Sequence, residues 1–126
     1  MDTTEKKQEL KPIVSMRLFT EQKCFGPGIA ELLRRVDEHH SLRAAAQSMG
    51  MAYSKAWTIT KNAEAGLGVK LLLSSTGGKN GGGAALTDEA RRFLRGYDNC
   101  CQRLKCFAAE LVAEEFAFYQ KREETE

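Results

Sequence analysis

The sequence is poor in the residues that most catalytic, metal-binding and membrane-spanning chains depend on. It has one tryptophan, two prolines and two histidines in 126 residues. Its longest apolar runs, such as Leu71 to Leu73, fall far short of the roughly 20 residues that cross a bilayer. The start, Met1 to Lys11, is charged rather than signal-like, so neither membrane insertion nor export is expected, and the cytoplasm is the expected location. Cys24, Cys100, Cys101 and Cys106 form no CxxC pair, and the histidines are the neighbours His39 and His40. Zinc-ligand spacing is therefore missing, and neither a metal nor a cofactor is expected. The thiols read as reduced, with Cys101 a small hydrophobe in an apolar register. No set of acid, base and nucleophile converges, so the sequence does not read as an enzyme.

What is present is an uneven charge. Residues 1 to 40 carry seven basic and seven acidic groups, residues 41 to 87 five and one, and residues 88 to 126 seven and nine. The middle segment is where a polyanion would dock.

Residues 1 to 11 are polar and read as a disordered arm. Apolar positions from Ile13 to Phe19 suggest one short strand, followed by a loop over Thr20 to Gly28. A first helix is expected from about Pro27 to His40, with Ile29, Leu32, Leu33 and Val36 on one face. Ser41 can cap a second, Leu42 to Met49, ended by Gly50. A third is expected from Tyr53 or Ser54 to about Ala65, closed by Gly66 and Gly68. Two short helices joined by a glycine-containing turn form a helix-turn-helix. Val69 to Ser75 and Ala84 to Thr87 read as the strands of a hairpin around the glycine-rich tip Thr76 to Gly83. Thr87 can then cap a long final helix reaching about Tyr119.

On the third helix, 100° steps place Ala56, Ile59, Thr60, Ala63 and Leu67 on the inner face. Ser54, Lys55, Thr58, Lys61, Asn62 and Ala65 lie opposite, an acid-free face suited to phosphates and to base edges in the major groove; a merely solvated surface is the alternative. Glu64 lies to the side, and Trp57 sits on the flank, where half-buried packing is expected ahead of a base contact. The hairpin tip fails the nucleotide-loop pattern because Lys79 is followed by Asn80 and the loop joins two strands. It reads as a wing carrying Lys79 and Asn80 toward DNA, or else as a flexible solvent loop.

In the final helix Ala90, Leu94, Tyr97, Cys101, Leu104, Ala108, Leu111 and Phe118 recur at spacings of four and three, interrupted at Glu115. A helix of about 30 residues spans roughly 45 Å, more than a small domain can cover. A second copy of the chain is expected to cover the rest, the alternative being a helix folded back on its own domain.

Ser41-Leu42-Arg43-Ala44-Ala45-Ala46 with Gly50, then Gly66-Leu67-Gly68-Val69-Lys70-Leu71-Leu72 and Leu86-Thr87-Asp88-Glu89-Ala90, resemble the winged helix-turn-helix of LysR-type regulators. Tyr53-Ser54-Lys55-Ala56-Trp57 and the wing Thr76 to Ala84 are similar to the N-terminal DNA-binding domain of the ModE family of molybdate-responsive regulators. The resemblance covers about residues 13 to 118. It implies a homodimer that binds double-stranded DNA at a palindromic operator. Carried onto this sequence, it points to Ser54, Lys55, Thr58 and Lys61 on the helix and Lys79 on the wing. Arg43, Tyr53, Asn62 and Asn80 are expected at the DNA beside them, and the spacing of the final helix puts Leu94, Tyr97, Cys101, Leu104, Ala108 and Leu111 between the subunits. That family normally continues into C-terminal molybdate-binding domains, whereas this sequence stops at Glu126, so molybdate binding is not expected in this chain. The expected fold is mainly α with a small β-hairpin wing: an arm (1–11), a winged helix-turn-helix (12–87) and a dimerisation helix with a charged tail (88–126). The rival reading is a protein-interaction module that uses the winged helix or the apolar final helix.

Overall fold

The computed structural model describes residues 8–75 and 83–121. They fall into two compact units, Ser15–Asp98 and the pairing of 8–14 with 99–121.

The larger unit opens with a small antiparallel hairpin, β1 (Leu18–Phe19) and β2 (Lys23–Phe25), in which Leu18 faces Phe25. A strand was expected over Ile13 to Phe19 and a loop after it. Instead residues 8–17 carry no regular secondary structure, and the segment expected to be loop supplies the partner strand. Helix α1 (Pro27–His39) follows, with Pro27 in its first turn, where a missing N–H is harmless. It buries Ile29, Leu32, Leu33 and Val36, the face expected from the period.

His40 caps α1 in the left-handed region at φ 60°, its N–H donating to Val36 O at 2.7 Å. Its carbonyl accepts from the Ala84 amide at 3.0 Å, so the end of α1 also anchors a wing strand. Helix α2 (Leu42–Ser48) is capped by the Ser41 hydroxyl, which accepts from the Ala44 amide, and Gly50 turns the chain at φ 68°. Helix α3 (Tyr53–Leu67) runs two residues beyond the expected end and is closed by Gly68 in the left-handed region.

Gly66 is thus inside α3 rather than at its end, and packing explains it. A Cβ at Gly66 would lie 2.6 Å from the Cβ of buried Cys24, so the missing side chain lets α3 meet β2. Helix propensity alone would favour alanine there by about 1 kcal/mol. The clash is with a Cβ fixed to the backbone, which cannot swing aside, and overpacking of this kind costs about 1–3 kcal/mol. Gly66→Ala is therefore expected to lower stability in urea titrations; an unchanged or raised midpoint would contradict this close approach.

Strands β3 (Leu72–Ser75) and β4 (Gly83–Leu86) pair antiparallel, Leu72 with Leu86 through Ser75 with Gly83. The expected tip, including Lys79 and Asn80, lies outside the described residues except for Gly83. Thr87 joins this wing to α4 (Asp88–Glu115). Its N–H donates to Leu71 O, its hydroxyl donates to Lys70 O, and the same hydroxyl accepts from the Ala90 amide. The core of the unit is Phe25 with the buried face of α1, the alanines 45, 46, 56 and 63, Leu71, Leu86, Ala90 and Tyr97. The chain is mainly helical with a hairpin wing and a long C-terminal helix, as expected of a winged helix-turn-helix.

In the smaller unit α4 continues through Asn99 to Glu115, a turn at Phe116 breaks it, and α5 (Ala117–Lys121) follows. The expected unbroken helix to Tyr119 is thus interrupted next to Glu115, where the apolar spacing also fails.

Candidate nucleic-acid interface

Helices α2 and α3, joined by a turn at Gly50, present one face of α3 to solvent. Ala56, Thr60 and Ala63 are buried, and the Thr60 hydroxyl satisfies itself on Ala56 O at 2.9 Å. The expected polar face is where the period puts it, with Ser54, Lys55, Thr58, Lys61 and Asn62 all exposed. No side chain caps α3, whose N-cap is Ala52. The first-turn amides therefore add positive potential at the end nearest Ser54 and Lys55.

The one acid of α3, Glu64, is turned away from this face. Its carboxylate accepts from the amides of Leu71 at 2.8 Å and Leu72 at 3.3 Å, and its side chain is only 10% exposed. It thereby satisfies two backbone donors where the chain enters the wing. Lys61 Nζ lies 3.3 Å away. Burial pushes the Glu64 carboxyl up, but the two amides and then Lys61 outweigh it and hold the pKa below the ordinary 4.5. Sequence reasoning had only the flank position and no sign of this role.

The linkage has a definite sign. A carboxyl depressed by folding contributes stability that is full above its unfolded value and fades as pH falls through the lower folded value. Charge-assisted hydrogen bonds are worth about 1.5–3 kcal/mol each before compensation, so Glu64→Gln is expected to cost about 1–3 kcal/mol at neutral pH. The gap between wild type and variant should narrow as pH drops below about 4.5, where the wild-type carboxyl also becomes neutral. Parallel stability curves from pH 7 to pH 3 would refute the charged role.

Two cation–aromatic pairs border the face. The Arg43 guanidinium of α2 lies 4.3 Å from the Tyr53 ring centroid, tying the two helices together, and Lys61 Nζ lies 5.6 Å from the centroid of Trp57. Trp57 keeps 49% of its surface exposed and Tyr53 39%. Tyr53, Trp57 and Lys61 recur at intervals of four and so form one ridge along α3.

The residues expected between subunits divide. Tyr97 departs from that expectation: its hydroxyl donates to Met16 O at 2.8 Å and its ring meets Phe25 edge-on, 5.2 Å between centroids. It is a core residue of the larger unit. Leu94, Cys101 and Ala108 are half-buried, and Leu104 and Leu111 are exposed at 38% and 41%. Beside them Phe107 is 57% exposed. Around α1, Arg34 pairs with Asp98 and Arg91 with Asp37, surface contacts of small energetic weight that hold the start of α4 in register.

Among the described residues no cluster of histidine, cysteine or acid could hold a metal ion, and no helix is long and apolar enough to cross a membrane. Residues 30–91 match the bacterial regulatory helix-turn-helix proteins of the lysR family. Over 72 residues the chain is 38% identical to the transcriptional regulator ModE of Haemophilus influenzae, a stretch that makes up 57% of this chain and 28% of that protein. The chain thus spans less than a third of the length of that relative.

Proposed function

We propose that this chain, whose residues 30–91 are a lysR-type regulatory helix-turn-helix domain, is a DNA-binding transcriptional regulator that acts as a homodimer on a palindromic operator. The observation that carries the reading is the acid-free exposed face of α3, from which Glu64 has been withdrawn to bind backbone amides. Ser54, Lys55, Thr58, Lys61 and Asn62 enter the major groove, with Arg43 and Tyr53 at its edge. Lys79 and Asn80 of the wing reach the backbone. Lysines on this face neutralise phosphates, while Ser, Thr and Asn can donate to and accept from base edges.

The homodimer reading rests on the apolar face of α4 at Leu104, Phe107 and Leu111, which one copy leaves in water. A second copy of the same helix is a self-complementary cover for it. Two recognition helices then address half-sites one helical turn apart, about 34 Å. The role is regulatory rather than catalytic, in keeping with the regulators that the chain resembles.

Affinity measured against salt tests the reading. Log Kd for duplex DNA is expected to rise with log salt at a slope of about 0.9 per phosphate neutralised. An affinity that does not exceed background at any salt concentration would overturn it in favour of a protein partner.

A further inference from the structure

Trp57 is the largest side chain on α3, and the fold leaves half of it in water. The indole does not enter the core: half of its surface faces solvent beside Lys61, while the inward positions are taken by Ala56, Thr60 and Ala63. Its neighbours on the ridge are Tyr53, held under Arg43, and Lys61, whose ammonium stands over the indole. The exposed band of α3 therefore has two unlike edges. Lys55 and Asn62 form a polar edge, and Tyr53 and Trp57 an apolar one.

We propose that Trp57 is a specificity residue that reads thymine, its indole resting against the 5-methyl group in the major groove. The inference rests on the DNA-binding reading above and goes beyond it by assigning a base chemistry to one side chain. The major-groove edges of the four base pairs offer donors, acceptors and a single apolar feature, the thymine methyl. An exposed indole in the first two turns of a recognition helix, where base contacts concentrate, has that methyl as its natural partner. The Lys61 cation over the ring sets phosphate attraction and apolar contact side by side, so that docking the lysine on the backbone carries the indole toward the base edge. Tyr53 follows at the same edge, with Arg43 holding its ring.

The test removes the methyl and nothing else. Preferred duplexes are selected from a random-sequence library with the wild-type protein, and each thymine is then replaced singly by deoxyuridine. At one position per half-site the replacement is expected to weaken binding about fourfold, the factor that corresponds to about 0.8 kcal/mol for one buried methyl. In Trp57→Ala that effect should vanish, while in Lys55→Ala it should persist. Trp57→Gln, which keeps the length of the side chain, provides the same comparison should the alanine variant fold poorly. Neutral deoxyuridine at every position would overturn the proposal, as would a methyl effect that survives in both Trp57 variants, or a Trp57→Ala loss shared equally by all sequences, which would mark sugar–phosphate contact instead. If the library yields no enriched sequence and no salt-dependent binding, the regulator reading itself falls. Enrichment without a methyl effect removes only the role of Trp57.

Discussion

Leu104→Glu combined with Leu111→Glu is expected to convert the protein to a monomer and to cut specific DNA affinity by about 100-fold or more. Both side chains are exposed in the single chain, at 38% and 41%, so in the monomer the glutamates meet water and helix content should be unchanged. Under the proposed dimer each substitution instead carries a carboxylate into an apolar interface without a partner, twice over by symmetry. Unpaired charge in such surroundings costs several kcal/mol, more than a modest helix–helix interface can offset. Linking two recognition helices multiplies affinity by about 10²–10⁴ when both half-sites are engaged, and that gain disappears with the second subunit. Sedimentation velocity and circular dichroism on wild type and variant separate loss of association from loss of folding. A wild-type chain that stays monomeric both free and on a two-half-site duplex would end the dimer reading.

The fold was legible wherever its cause is local. The face of α1, the Ser41 and Thr87 caps, the Gly50 turn and the strands of the wing follow from spacing and from single residues, and the structure has them within a residue or a few. Strand β2 was not legible. Three residues, Lys23–Phe25, carry too short a pattern to show a period, and buried Cys24 meets Gly66 of α3, far from it in sequence. Gly66 misled for the same reason. A glycine near a helix end reads as a stop, yet here its missing Cβ makes room for Cys24 inside the helix. In both places tertiary packing overrides a local preference.

The interface shows the same division. Which side chains of α3 face water follows from the 3.6-residue period, and Ser54, Lys55, Thr58, Lys61 and Asn62 are all exposed. What those side chains do with their neighbours does not follow from it. The Arg43–Tyr53 pair joins two helices across a turn, and Glu64 reaches residues seven and eight positions later. Tyr97 lies in the same register as Leu104, but its hydroxyl finds Met16 O, 81 residues away in sequence. A period on one helix cannot distinguish a side chain that packs within its own domain from one left for a partner.

Lys55→Ala with Lys61→Ala is expected to weaken DNA binding without loss of fold. Neither ammonium is buried, and the amide bonds that hold Glu64 do not involve Lys61, so stability should change by no more than the fraction of a kcal/mol typical of an exposed pair. On DNA each lysine stands for about one phosphate contact. Losing both should flatten the salt slope by about two units and cost about tenfold to 100-fold in affinity at moderate salt. If both act on phosphates alone, preferred and random duplexes lose affinity by the same factor. If either reads a base, the loss concentrates on the preferred duplex, by about 1–3 kcal/mol at the position it contacts. The single variants separate the two lysines, because Lys61 is steered by Glu64 and Trp57 while Lys55, in the uncapped first turn, stands where the amides of α3 already attract an anion. Lys55 is accordingly expected to carry the larger share of the slope. An unchanged slope and affinity in the double variant would remove α3 from the DNA, and with it the acid-free face as the basis of recognition.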